Sequence, residues 1–556
     1  MPRFIDRVNP LAGIAHQRRV WSWISFDVAN QSFTLLINTL LFSIFFQEVV
    51  LKGSGWEAYD DTAWSLMFAL SMLLVVAVSP IAGAMADELA WKKRLLLGTG
   101  LVCAGATCAL GLLGPGAVVW AMLLYIPANF CFNLGENFLA AFLPELAPRE
   151  KFGLVSGFSW GIAYSGSLVM LVLTAAVMAS VPALADPAGW RWFFVFAGVW
   201  FFVFAIPTLL FLKERPRDPA LGPVPGLMRV SVLAVRRLGT SVRNTGRHRD
   251  LAMLLVASLF YGTGMAVVVV FASIIAKDFG FQSTQLVVFV AVITVSGVVG
   301  THVPTIIHDP IGHRRMTASL LLVWVFTACG LAAFAFAREQ SPDPATFPSW
   351  PIWIFGNLLG FGLGSLGSAN RAFVGYLTPA SRSAEVFGLW GLVFKLAGVL
   401  TLPFALVKDT LGMPASLLVL AGFVVVGLVL TMLVDERRGA LAAAESDGPP
   451  KAAPPASPTP AQEMPAATTA TVATTPDVAP APAPAMAPAP AAPRTPAASE
   501  PPPPPAPPGP APPPPPPPPP PGRPTTEANP PHQLVTWTLT APYLHPPRPT
   551  PLFSRT

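Results

Sequence analysis

The chain is poor in charge. Lysine, arginine, aspartate and glutamate make up 12% of its 556 residues, while 53% are hydrophobic. A soluble globular domain carries about 25% charged residues, so the composition describes a membrane protein. The formal net charge of +6 fits basic loops on one side of a bilayer and gives no reason to invoke nucleic acid. Cysteine is scarce as well: Cys103, Cys108, Cys131 and Cys329 all lie in apolar runs and none forms a CxxC pair. They are expected to be small buried side chains without a metal or redox role. There is no Walker A segment to bind ATP, and none of the seven histidines stands at metal-ligand spacing from another ligand inside an apolar run. His302, His308 and His313 fall at or near a loop, where solvation is expected. No enzyme signature stands out, and neither cofactor nor metal is expected. Residues 1–20 lack the 7–15-residue apolar core of a cleaved signal, so the first hydrophobic helix should serve as its own insertion signal.

What is abundant is apolar runs of about 20 residues, long enough to cross a bilayer. Twelve lie near 22–50, 62–86, 94–113, 116–142, 153–181, 190–212, 251–276, 283–306, 316–336, 350–377, 386–407 and 413–434. The expected fold is all-α, with twelve transmembrane helices in two six-helix pseudo-symmetric halves. With the N-terminus cytoplasmic, the inside segments hold 23 Lys and Arg, against five outside (Lys52, Arg191, Lys277, Arg338 and Lys408). That bias predicts cytoplasmic N- and C-termini, in a plasma or inner membrane rather than an organelle.

The expected organisation is an N-terminal half over 1–212, a basic linker over 213–250, a C-terminal half over 251–438 and a disordered Pro/Ala-rich tail over 439–556. In the linker, "GLMRVSVLAVRRLGTSVRN" sets Arg229, Arg236, Arg237 and Arg243 about one face of a helix, away from Leu227, Val230 and Leu238. It reads as an amphipathic helix on the cytoplasmic leaflet or, alternatively, as a disordered basic link. The tail holds 41 of the 64 prolines, including Pro512 to Pro521. Such sequence builds no core. The tail is read as a solvated extension, with a docking segment for an SH3-like partner as the lesser alternative and a shifted reading frame as an alternative source of its last residues.

The halves echo each other. "GAMADELAWKKR" (83–94) and "PTIIHDPIGHRR" (304–315) each place an acid before a basic group, between the second and third spans of their half. Asp87, Lys92, Lys93 and Arg94 in the first copy, and Asp309, Gly312, Arg314 and Arg315 in the second, are candidate gating residues. Simple topology anchoring is the plainer role for them. "LAPREKFG" (146–153) and "LTPASRSAEVFG" (377–388) echo likewise. Two six-helix halves meeting at a midplane site are a transporter architecture.

Polar residues concentrate where lipid would not tolerate them. At 100° per residue, Asp27, Gln31, Thr34 and Asn38 of the first span fall within about 60° of one another, with Asn30 to one side. In the fourth span Asn129, Asn133 and Glu136 share a face, with Asn137 beside them, and Pro127 invites a kink. Arg371 in the tenth span and Lys395 in the eleventh supply cations that balance the two acids. These stripes should face protein or water. They form either a cavity for a small polar or zwitterionic solute or a set of static ion pairs that orient helices. In the cavity reading Arg371 or Lys395 takes a carboxylate, Asn30 and Asn137 supply hydrogen bonds, and Asp27 or Glu136 carries a coupling proton. Gly153, Gly157 and Gly161, spaced by four in the fifth span, predict close helix packing, as do Gly356, Gly360, Gly364 and Gly367 in the tenth.

Twelve spans with an acid–basic signature between the second and third resemble the major facilitator superfamily. Within it, "FDVANQSF" (26–33) resembles the Asp-x-Ala-Asn pattern of the vacuole-effluxer branch, whose eukaryotic members export amino acids from vacuoles. "AAFLPELAPREKFGLVSGFSWGIAYSG" (140–166) and "ANRAFVGYLTPASRSAEVFGLWGLVFKLAG" (369–398) resemble the same branch. There are departures: Ala90 and Trp91 stand where the loop signature has glycine, Asn370 and Ala372 flank Arg371, and Phe394 precedes Lys395. The resemblance implies that spans 1, 4, 7 and 10 line a central cavity. It also implies a monomeric secondary transporter in contact with lipid, moving a small polar solute, with amino acids as candidates and a proton or cation as the coupling ion. An uptake symporter for sugars or organic acids, or a non-transporting receptor of the same fold, are the alternatives.

Overall fold

The computed structural model describes residues 11, 14, 16–148, 151–216, 226–343 and 347–447, and these are helical with short connections. Eleven continuous helical segments are long and apolar enough to cross a membrane. The last of them runs over 49 residues, Glu385–Leu433. At 1.5 Å per residue that is about 74 Å, more than twice the ~30 Å of a hydrocarbon core. It is two crossings joined at Gly412, whose φ of 84° and ψ of 178° are not helical. The chain therefore has the twelve expected spans.

Span 1 is Gln17–Val50, span 2 Asp60–Leu89, span 3 Lys92–Leu110, span 4 Val118–Ala140, span 5 Phe152–Ser180 and span 6 Arg191–Phe211. Span 7 is Arg249–Asp278, span 8 Ser283–Ile311, span 9 His313–Glu339 and span 10 Trp350–Tyr376. Span 11 is Ser383–Val399, continued after a break over 402–411, and span 12 covers 413–433. The pairs that pack most closely in the first half are 1 with 6, 3 with 4, 3 with 6, 2 with 4 and 1 with 5. In the second half they are 7 with 12, 9 with 10, 9 with 12, 8 with 10 and 7 with 11. Each pair recurs six spans later, as internal duplication requires.

The duplication extends to single residues. Glu214, just after span 6, accepts from the backbone N–H groups of Lys92 and Lys93 at 2.7 and 3.1 Å. Glu436, just after span 12, accepts from His313 and Arg314, both at 3.1 Å. In each half a glutamate behind the last span satisfies otherwise unpaired donors at the start of the third. The sequence signal is the pair Glu-Arg in "KERPR" and "DERRG".

Three expectations need correction. The ordered chain does not stop at 438: helix Glu436–Asp447 continues it, because "GALAAAESD" contains no proline and is rich in alanine. The proline-rich remainder lies outside the described residues. The glycine stripe of span 5 does not pack closely: nothing lies within 4 Å of a Cβ built on Gly157 or Gly161, and the side of Gly153 is outside the described residues. Close approach occurs elsewhere. A Cβ on Gly166 would lie 2.8 Å from Val28 of span 1 and one on Gly360 2.6 Å from Ile293, while those on Gly364 and Gly300 would run into the backbones of Gly297 and Phe361. The interface of spans 8 and 10 is thus the glycine-built one, while Gly367 faces open space. Third, Cys329 is exposed, whereas Cys103 and Cys131 are buried.

Candidate functional site

The polar stripes of spans 1 and 4 meet. The Asn30 amide donates to the Glu136 carboxylate. Asn38 donates to Asn129 at 3.1 Å and accepts from the Tyr125 hydroxyl at 2.8 Å. Asn129 donates in turn to Ser71 of span 2 at 2.6 Å. Asn133 donates to the Asn129 carbonyl at 2.8 Å, and its own amide oxygen accepts from Lys395 of span 11. Asp27 lies on the same side of span 1 and accepts from Ser159 of span 5 at 2.8 Å. Four helices of one half and one of the other are stitched through a single polar layer. Burial makes this demanding, because Asp27, Asn30, Asn38, Asn129 and Asn133 are all buried and an unpaired polar group there is costly.

Local chain geometry sets the layer. Span 1 widens to a π-helix over Phe33–Leu40, immediately before and around Asn38, a distortion that often accompanies functional positions. Pro127 sits inside span 4 between Tyr125 and Asn129.

Several groups in the layer keep free valences. The side-chain amide oxygen of Asn30 has no partner among the described residues. Gln31 is half-buried, Asn137 is exposed, and neither side chain is hydrogen-bonded among the described residues. Glu136 and Lys395 act on each other electrostatically without a direct ion pair. Arg371 does not join Asp27. It is exposed and lies over the Trp390 ring of span 11, 5.5 Å from its centroid, a stacked cation with no carboxylate partner among the described residues. The predicted residues thus form two groups: a connected layer from Asp27 to Lys395, and the Arg371–Trp390 pair. Ser71, Tyr125 and Ser159 complete the layer and were not among the sequence candidates. Lone hydroxyls on apolar helices carry no periodic signal. A cleft of about 410 Å³ between spans 8 and 10 lies elsewhere and is apolar.

The two halves are bonded together on one side of this layer. Lys408 of span 11 pairs with Asp61 of span 2 and, at 2.9 Å, with Asp278 of span 7. Lys277 pairs with Glu48. Ser65 meets Thr401 at 2.9 Å, Trp64 donates to the Val270 carbonyl at 3.3 Å, Ser273 to the Thr39 carbonyl at 2.5 Å, and Thr62 N–H to Asp409 at 2.8 Å. Ser43 and Ser273 also meet at 3.3 Å, and Lys395–Asn133 joins the halves within the layer itself. These bonds hold the halves together at the Asp61 end, which we read as the sealed end, and the layer's free groups lie towards the other.

At the opposite end the loop signature works within its own half. Asp87 pairs with Lys92 at 3.2 Å, and Lys92 with Glu145 at 3.2 Å. Lys93 donates to the Leu209 carbonyl at 2.8 Å. Arg94 has no such partner among the described residues. In the second copy Arg314 donates to the Val434 carbonyl at 3.3 Å, Gly312 takes a φ of 83° ahead of span 9, and Arg315 makes no comparable contact among the described residues. The side chain of Asp309 is outside the described residues. In the first copy the left-handed residue is Ala90, with φ 50°. The turns differ: Ala90 (ψ 51°) ends span 2, and Trp91, which stands where Gly312 does, has a φ of −109°, whereas Gly312 has a ψ of 157°.

Comparison with known proteins agrees with this architecture. Residues 15–444 match the family model described as "Vacuole effluxer Atg22 like". The chain is 24% identical over 431 residues to the uncharacterized MFS-type transporter YxiO of Bacillus subtilis, covering 75% of this chain and 94% of that protein. It is 24% identical over 468 residues to autophagy-related protein 22-1 of Penicillium rubens, covering 69% and 77%. Among solved structures, a D-xylose–proton symporter superposes with a TM-score of 0.56 at 14% identity, over 76% of this chain and 99% of that one. The nucleoside transporter NupG gives 0.53 at 11%, over 75% and 96%. At such identities these structures speak for the fold.

Proposed function

The chain belongs to the Atg22-like vacuole effluxer family of major facilitator membrane transporters, and on that premise we propose that it carries a small polar solute, with amino acids as first candidates, by alternating access. The observation that supports this most directly is the polar layer itself. It is sealed towards the Asp61 end and keeps unpaired donors and acceptors at Asn30, Gln31 and Asn137, with cations at Lys395 and Arg371. A zwitterion offers a carboxylate to the cations and an ammonium to Glu136 or an amide oxygen. Static ion pairing would instead leave each charge matched, and Arg371 has no carboxylate partner among the described residues.

Asp27 and Glu136 are the groups proposed to exchange a coupling proton. The ionic bonds at the Asp61 end break when that end opens, and the loop signatures make new contacts as the opposite end closes. The 23-to-5 distribution of basic residues supports placing the signature end on the cytoplasmic side. The test is counterflow in liposomes: protein loaded with one unlabelled solute class should draw in labelled amino acids, with sugars and organic acids as comparison sets. Exchange confined to sugars or organic acids would replace the substrate class. Absence of exchange for every class, with activity appearing only through a tail-bound partner, would support the receptor alternative.

A further inference from the structure

The linker forms a helix, Leu227–Gly246, and it has three sides rather than two. With Met228 at 0° and 100° per residue, Val230, Ala234, Arg237, Ser241 and Thr245 fall in one sector about 80° wide. Val230, Ala234 and Thr245 are buried, and this side rests on spans 2, 7 and 11. Arg237 pairs with Glu88 of span 2 at 3.3 Å. Ser241 lies against Glu385, at the start of span 11, which Arg382 holds through two 2.9 Å bonds. One helix is therefore fastened to both halves.

The outward side is unlike a solvated surface. Met228, Val232, Val235 and Val242 fall together in a second sector about 80° wide and are 79%, 42%, 58% and 56% exposed. Arg229, Arg236 and Arg243, with Arg247 just past the helix end, form an adjacent exposed row. The helix contains no aspartate or glutamate, and none of the four arginines has an acidic partner among the described residues. Exposed valines beside unpaired guanidinium groups, on a helix packed across the end of a membrane bundle, match the boundary between acyl chains and phosphates. A guanidinium fork binds phosphate oxygens in pairs.

We propose that this side binds the headgroups of anionic phospholipids, and that the bound leaflet holds the helix down as a strap across spans 2 and 11. These spans meet where the halves meet: a Cβ on Gly398 of span 11 would lie 2.9 Å from Met72 of span 2. Any change of access moves them relative to one another. Anionic lipid then restrains that motion through Arg237–Glu88 and Ser241–Glu385, whatever solute is carried.

The test uses the full chain in lipid nanodiscs, with a nitroxide at Val235→Cys and Cys329→Ala to remove the exposed native thiol. In discs with phosphatidylglycerol the label should be several-fold less accessible to an aqueous nickel chelate than in pure phosphatidylcholine. The difference should shrink at high salt and disappear in the Arg229→Gln, Arg236→Gln, Arg243→Gln triple variant. Arg237→Gln should keep the lipid-dependent shielding while broadening the distance between labels on Arg94 and Arg315. Equal accessibility in both lipids, or a triple variant that behaves as its parent, overturns the proposal. Equal shielding by inositol hexaphosphate in pure phosphatidylcholine would assign the surface to a soluble polyanion and also overturn it, as would shielding only on addition of an acidic protein. Circular dichroism of the triple variant checks that lost shielding is not lost folding.

Discussion

Lys408 near the end of span 11 pairs with Asp61 in the first turn of span 2, so a single ammonium ties one half of the molecule to the other. It also holds Asp278 at 2.9 Å, while Asp61 accepts from Gln47 at 2.7 Å. Asp60 and Asp409 bring two further carboxylates close to Asp61, so the lysine sits among more acids than it can neutralise. Lys408→Met should leave Asp61, 2% exposed, without its counter-charge. Breaking one side of such a buried pair costs about 3–5 kcal/mol. The variant should melt lower and expose a cysteine placed at Thr39 to a hydrophilic thiol reagent. Adding Asp61→Asn should recover much of the melting loss but not the closure. Unchanged labelling at Thr39 in Lys408→Met would show that the seal is apolar.

This seal shows where sequence reading ends. Lys277 and Lys408 were legible as two of the five basic residues of the poorly basic side, and nothing in their own segments names Asp61 or Glu48 as partners. Pairing across spans hundreds of residues apart is a property of packing. The spans themselves were legible because a bilayer enforces length and apolarity, and the stripes of Asp27 and Asn133 because a helix repeats every 3.6 residues. The meeting of Asn30 with Glu136 follows from those two stripes. Arg371 was legible as a cation that balances the acids of spans 1 and 4, but not its place over Trp390, which the packing of spans 10 and 11 sets.

Glu214 and Glu436 supply a second prediction. Each accepts two backbone N–H groups at the start of a span. Glu→Gln at either position keeps a hydrogen-bond acceptor and removes the charge that complements the helix terminus. A loss of about 0.5–2 kcal/mol is expected for each. The two losses should be similar and add, since the sites belong to different halves. Thermal melting of the single and double variants measures this, and a neutral pair of variants would remove the capping role.

Ala90 occupies a left-handed turn that glycine fills more easily. Its φ of 50° costs a residue with a Cβ about 1–2 kcal/mol, partly offset by the greater chain freedom of glycine when unfolded. Ala90→Gly should raise stability by about 0.5–1 kcal/mol and leave transport unchanged. A lower melting temperature would mean that the Ala90 methyl packs in a way its backbone does not disclose.

The two glycine stripes should respond in opposite directions. A methyl on Gly300 or Gly364 runs into the backbone of the facing span, so alanine there should cost about 1–3 kcal/mol through overpacking. Gly157 and Gly161 have open space, and alanine there should be neutral or stabilising by up to about 1 kcal/mol through helix propensity. If Gly157→Ala retains stability but slows counterflow, span 5 makes its close contact in another state of the cycle. If it changes neither, the stripe has no packing role.

Asp27 separates proton coupling from structure. Its carboxylate accepts from Ser159 at 2.8 Å, and an asparagine amide can accept the same bond. Asp27→Asn should therefore fold and melt close to the parent. If Asp27 releases and takes up the coupling proton, the variant should still exchange solute across a liposome membrane at equal concentrations, because exchange needs no net proton movement. It should fail to accumulate solute against a gradient under an imposed proton gradient. Adding Arg371→Gln should not restore accumulation, because Arg371 stacks on Trp390 and is not the partner of Asp27. Restoration by the double change would mean that the two charges meet in another conformation. Full uphill accumulation by Asp27→Asn alone would move the coupling role to Glu136, where Glu136→Gln should then uncouple transport while keeping the amide contact with Asn30.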